Sequence, residues 1–130
     1  MAVSLGGGYK VGDDDSGPLL AARGLFFFRY FLGVLHGDVA FGEGTYFSLA
    51  VDLDGRYGPM YGGLGFSLNW LPGAGSRPGS ALGFQAGFMV PTPLTGLWLD
   101  ICYRPAIIFR ESQDLVYHNV LLAVILEAGL

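Results

Sequence analysis

Hydrophobic and polar positions alternate along this chain. From Leu97 to Phe109 one set of positions reads Leu97, Leu99, Ile101, Tyr103, Pro105, Ile107 and Phe109, and the other Trp98, Asp100, Cys102, Arg104, Ala106 and Ile108. From Val116 onward, His118, Val120, Leu122, Val124, Leu126, Ala128 and Leu130 oppose Tyr117, Asn119, Leu121, Ala123, Ile125 and Glu127. Successive side chains of a strand point to opposite faces, so this period of two predicts strands with one apolar face. The same pattern marks Val3–Val11, Arg23–Leu32, Leu35–Phe41, Tyr46–Asp54, Gly63–Trp70 and Ala81–Val90, which brings the total to eight. Leu32 and Leu35 share a face across Gly33-Val34, which reads as a two-residue hairpin. Gly42-Glu43-Gly44 reads as a three-residue glycine hairpin between Phe41 and Thr45, and longer links fall at 12–18, 55–60, 71–80, 91–96 and 111–114.

The charges respect the alternation. Lys10, Arg23, Arg29, Asp38, Asp52, Asp54, Asp100, Arg104, Arg110 and Glu127 occupy the small, polar parity. Asp13, Asp14, Asp15, Glu43, Arg77, Glu111 and Asp114 fall in the links, and Arg56 lies at a strand end or turn. No charged residue lies on the apolar face.

Which face points inward follows from volume. The apolar faces carry more than thirty large side chains, whereas an eight-stranded barrel has an interior just wide enough for side chains to fill. The set rich in Gly, Ala and Ser fits inside, so the bulky set forms the outer belt. Composition agrees: in 130 residues 52% are apolar and only 14% charged, against about a quarter charged for a soluble domain. That leaves too little charge to coat a water-facing surface and points to lipid as a second solvent. A helical membrane protein is the weaker alternative, because Leu19–His36 carries Arg23 and Arg29, and Leu115–Leu130 carries His118, Asn119 and Glu127. A spanning helix needs about 20 predominantly apolar residues. The reading is therefore all-β: a single domain over residues 1–130, an eight-stranded antiparallel up-and-down transmembrane barrel with short loops. In hydrocarbon every backbone polar group must be paired within the protein, which a closed barrel achieves.

Enclosed charges need partners, since an unpaired buried charge costs several kcal/mol. Lys10, Arg23, Arg29, Arg104 and Arg110 balance Asp38, Asp52, Asp54, Asp100 and Glu127. A plug of paired charges is favoured over a polar conduit for a small solute in so narrow a lumen. His36 and Asp38 read as a hydrogen-bonded lumen pair. Tyr9, Tyr30, Trp70 and Tyr103 lie on the outward parity and are expected as membrane-interface aromatics. A net charge of −4 and one Lys argue against nucleic acid, the lone Cys102 gives neither disulfide nor zinc site, and no cofactor is expected. Met1 directly precedes the first strand without a signal-peptide pattern. The chain reads as a mature sequence whose signal peptide has been removed.

Gly-Gly-Gly-Tyr at 6–9, Tyr-Gly-Gly-Leu-Gly-Phe at 61–66, Leu-Gly-Phe-Gln-Ala-Gly-Phe at 82–88 before Pro91-Thr-Pro, and Leu-Trp-Leu-Asp at 97–100 resemble the small eight-stranded outer-membrane barrels, namely outer membrane protein X and the transmembrane domain of outer membrane protein A. The resemblance is architectural and covers the whole chain. It implies a Gram-negative outer-membrane location and periplasmic termini, with links 12–18, 42–44, 71–80 and 111–114 outside and 33–34, 55–60 and 91–96 periplasmic. It further implies a monomer whose partners are outer-membrane lipids or lipopolysaccharide, inserted by the barrel assembly machinery. Such chains end in an aromatic residue, whereas this one ends in Leu130. The function expected is a structural or interaction role. The alternative is a lipid A-modifying, deacylase-like enzyme built on His118 with Ser112 and Glu111 nearby. His118-Asn119-Val120 lacks the His-x-Ser-Asn arrangement of such enzymes, so no catalytic residue is assigned.

Overall fold

The structure is a computed structural model that describes residues 1–12, 16–42, 44–70, 79–109 and 115–127. Eight strands are present: β1 (Ala2–Gly12), β2 (Gly17–Phe27), β3 (Phe31–Phe41), β4 (Thr45–Tyr57), β5 (Met60–Trp70), β6 (Gly79–Pro91), β7 (Leu97–Phe109) and β8 (Leu115–Glu127). Each pairs antiparallel with its sequence neighbour, and β1 closes the sheet on β8, with Ala2 opposite Glu127 and Gly12 opposite Tyr117. The described residues form no helix, which removes the helical alternative.

The register fixes the barrel's geometry. Stepping around the sheet from Ser4 through Arg23, His36, Ala50, Ser67, Ala81 and Ile108 arrives at Leu115. Ser4 itself pairs with Ile125, ten residues further along β8. A stagger of that size over eight strands tilts them by roughly 40°. Strands of 11 to 13 residues then meet or exceed the about 9–11 needed to cross hydrocarbon.

The large apolar side chains face outward. Leu5, Leu35, Val51, Leu53, Leu64, Phe66, Ile101 and Leu122 are all more than half exposed. Lys10, Arg23, Asp38, Asp52, Asp54, Asp100 and Arg104 are buried in the lumen. A surface this greasy around an ionic core matches hydrocarbon and not water. Leu122 stands at mid-height between Gly7 and Ile101, so Leu122→Arg is expected to destabilise the barrel in lipid vesicles by about 2–4 kcal/mol. Equilibrium denaturant unfolding in vesicles measures this, and a neutral effect would show that the outer wall is wet.

The second hairpin departs from the sequence reading. Gly33-Val34 is not a turn but the interior of β3, and the chain reverses at residues 28–30, where the Phe28 amide donates to the Phe31 carbonyl at 2.9 Å. The parity changes at this reversal. Leu32, expected outside, is fully buried, and Phe31, expected inside, is 54% exposed. The Gly55–Met60 link shrinks to Gly58-Pro59, with Tyr57 paired to Met60. Gly58 has φ +59°, which glycine adopts without steric cost at the first central position of a tight hairpin. Phe41 pairs with Thr45 as the glycine hairpin requires.

Candidate functional site

The lumen holds the polar chemistry, and small residues on one wall make room for it. On β5 and β6 the inward positions include Gly63, Gly65, Gly83 and Gly87. A Cβ at Gly65 would coincide with the Asp52 carboxylate, and one at Gly87 would strike the Tyr61 ring. A Cβ at Gly83 would come within 3.0 Å of the Arg104 guanidinium. The glycines are thus the spaces into which side chains of the neighbouring strands extend.

Two guanidinium–carboxylate clusters occupy those spaces. Arg23 on β2 reaches across to Asp100 on β7 and also donates to Ser4 Oγ at 2.9 Å and Tyr61 Oη at 3.4 Å. The Tyr61 hydroxyl lies 2.9 Å from both Asp100 oxygens, to which it donates. Arg104 on β7 grips Asp52 on β4 through Nη2 at 2.8 Å and Nε at 3.3 Å, a side-on double contact. Side chains of both pairs are at most 4% exposed. Gln85 donates its amide to Asp54 and accepts from the Cys102 thiol at 3.5 Å. His36 Nε2 and Asp38 Oδ2 are 2.7 Å apart, the pair expected from their spacing.

Towards the loop end, the Lys10 ammonium lies 2.7 Å from the centroid of the Tyr46 ring and 3.8 Å from that of Tyr117, where a cation is attracted by the ring faces. The Tyr46 hydroxyl donates to Asn69, whose amide donates to Ser67 Oγ at 3.0 Å. The lumen is therefore filled from end to middle by polar groups that bond one another, although Arg23 Nε, His36 Nδ1, Asp38 Oδ1 and Asp54 Oδ1 are buried without a hydrogen-bond partner among the described residues. Among the described residues, no three His, Cys, Asp or Glu side chains converge as a metal site.

Two residues assigned to the lumen lie elsewhere. Arg29 sits exposed in the 28–30 turn with its guanidinium 5.0 Å from the Tyr30 ring centroid, because the strand that would have turned it inward ends at Phe27. Glu127 has the inward parity but stands exposed at the last position of β8, where it accepts from Trp98 Nε1 at 2.9 Å. Arg110 lies outside the described residues, as do Asp13–Asp15, Glu111 and Ser112. Tyr61, Ser4, Gln85 and Asn69 belong to the clusters although no charge marks them. What marks Tyr61 is its parity, shared with Gly63, Gly65 and Ser67 on β5.

The aromatics spread over the outer wall. Tyr9 is exposed on the half of β1 nearer Gly12, Tyr103 is exposed at the middle of β7, and Trp70 packs on Phe47 at a centroid distance of 5.5 Å. Tyr30 is exposed in the turn at the opposite end. The Tyr103 hydroxyl is hydrogen-bonded with His118 Nδ1 at 2.6 Å, and their rings stack at 15°. His118 thereby has a phenol, not a nucleophile, as its described partner.

No protein-family model matches the sequence, and no curated protein does. Solved structures do match. The crystal structure of Neisserial surface protein A superimposes with a TM-score of 0.71 at 16% identity, covering 98% of this chain and 96% of that one. Ail, the attachment invasion locus protein of Yersinia pestis, superimposes with a TM-score of 0.55 at 16% identity, covering 96% and 95%. By strand number, closure and length, the chain has the fold of the small eight-stranded outer-membrane β-barrels.

Proposed function

We propose that the chain is an integral protein of a Gram-negative outer membrane that works through its outer surface, as an anchored structural or interaction element, and not by passing solutes through its lumen. The supporting observation is the occupation of the lumen by Arg23–Asp100–Tyr61 and Arg104–Asp52, with ionic side chains at most 4% exposed. Desolvated pairs of this kind are hard to part, because separating them leaves buried charge. The belt of Leu, Val, Ile and Phe binds lipid, and Tyr9, Trp70 and His118 face headgroups towards the end of the barrel that carries Gly12. Lipids and lipopolysaccharide are its partners in the membrane, and the barrel assembly machinery is its partner during insertion. The names of its structural neighbours, a surface protein and an attachment invasion locus protein, favour an interaction role. Catalysis is not proposed, since His118 is bound to Tyr103.

Planar bilayers test this. The purified barrel is expected to produce no stepwise conductance in concentrated potassium chloride. Regular conductance steps from the unaltered protein would overturn the reading and make the lumen a path for small ions.

A further inference from the structure

The end of the barrel that carries both Ala2 and Glu127 is not filled like its middle. Below Tyr61 the lumen widens into a cavity of about 560 Å³ walled by Phe27, Tyr61, Met89, Trp98 and Ile125, with Arg56 and Glu127 also on its lining. This volume lies within the range of small-molecule sites, about 300–1,000 Å³, and the mix of apolar wall and few polar groups is theirs too. Residues of β2, β4, β5, β6, β7 and β8 contribute. The lining thus comes from six of the eight strands at this end of the barrel.

Two opposite charges line it without meeting. Arg56 stacks its guanidinium 4.8 Å from the Phe27 ring centroid and donates one Nη1 bond to the Phe28 carbonyl at 3.3 Å. No other hydrogen bond to a described residue engages the guanidinium. Glu127 Oε1 accepts from Trp98, which holds the carboxylate at the rim, and no ion pair joins it to Arg56. In the lumen above, by contrast, both guanidinium groups are paired with carboxylates.

A ligand that uses everything here has an apolar body with an anion towards Arg56 and a cation towards Glu127. We propose that this vestibule binds a short apolar peptide with free termini, its carboxylate taken by Arg56 and its ammonium by Glu127. A fatty acid would satisfy Arg56 and leave Glu127 facing a like charge or an apolar tail. A free amino acid has the charges but too little apolar body for five large wall residues. Whether the lumen conducts does not bear on this site, so the conductance result leaves it standing or falling on its own test.

The chain's two tryptophans make the test direct. Trp70→Phe removes the one remote from the cavity and leaves Trp98 as the reporter. This full-length protein, in lipid nanodiscs, is titrated with Leu-Leu-Leu, its N-acetyl form, its C-amide form and lysophosphatidylethanolamine. The expected result is a saturable change in Trp98 emission with the free tripeptide and about tenfold weaker binding of each blocked form. Arg56→Gln should abolish the preference for a free carboxylate and Glu127→Gln the preference for a free amine. The comparison of blocked and free peptides needs neither variant, so it holds even where one fails to fold. No saturable change, equal binding of blocked and free peptide, or tighter binding of the lipid would overturn the peptide assignment.

Discussion

Arg23→Ala is expected to destabilise the barrel by about 3–5 kcal/mol, with Arg23→Ala/Asp100→Ala recovering a large part of that loss. The guanidinium is 2% exposed and Asp100 fully buried, so truncating Arg23 leaves a carboxylate enclosed with only the Tyr61 hydroxyl to serve it. Breaking a buried pair by removing one member carries that penalty, whereas removing both members is far milder. Tyr61→Phe alone should cost less, about 1–3 kcal/mol, since it deletes a donor but no charge. Denaturant unfolding of the unaltered barrel, Arg23→Ala, Asp100→Ala and the double variant, all refolded into one vesicle composition, gives the double-mutant cycle. A coupling near zero between positions 23 and 100 would mean that the two side chains do not meet in the folded barrel.

The cluster was half visible in the sequence. The strict period of two placed Arg23, Asp52, Asp54, Asp100 and Arg104 on inward positions, and the structure buries all of them. Alternation names a face; it does not name a partner. Which carboxylate meets which guanidinium depends on the ten-residue stagger of the closed sheet, a property of the whole register. Parity also says nothing about height along the axis, so Glu127 has an inward position in the sequence and yet stands at the rim.

The 23–35 region is misleading in sequence for a different reason. Leu25-Phe26-Phe27-Phe28 precedes Arg29-Tyr30-Phe31-Leu32 without Gly or Pro, while Gly33-Val34 offers the turn chemistry that hairpins favour. The actual reversal is stabilised by contacts beyond local propensity. The Arg56 amide donates to the Tyr30 carbonyl at 2.9 Å, and the Arg56 guanidinium binds the Phe28 carbonyl. Inward Leu25, Leu32 and Val34 also break the rule that the lumen side is small and polar. The interior near this end is apolar, and it leads into the vestibule.

The largest effect is expected at a residue with no side chain. Gly65→Leu should prevent the barrel from reaching its heat-modifiable folded form under conditions in which the unaltered chain folds. Gly65 lies on β5 opposite Asp52 in register, and even a methyl group there would occupy the position of the Asp52 carboxylate. That carboxylate holds Arg104 at 2.8 and 3.3 Å, so it cannot swing away without releasing a buried guanidinium. The cost adds overpacking, about 1–3 kcal/mol, to the loss of a buried ion pair, about 3–5 kcal/mol. Together these are comparable to the entire stability of a small domain, about 5–15 kcal/mol. Gly58→Leu is the matched control, because a Cβ at Gly58 meets nothing within 4 Å and the residue's strain is confined to its positive φ. It should fold with a modest loss. If Gly65→Leu migrates on unheated gels as the unaltered barrel does and unfolds at the same denaturant concentration, Asp52 is not packed against β5, and the plugged lumen on which the proposed function rests is wrong.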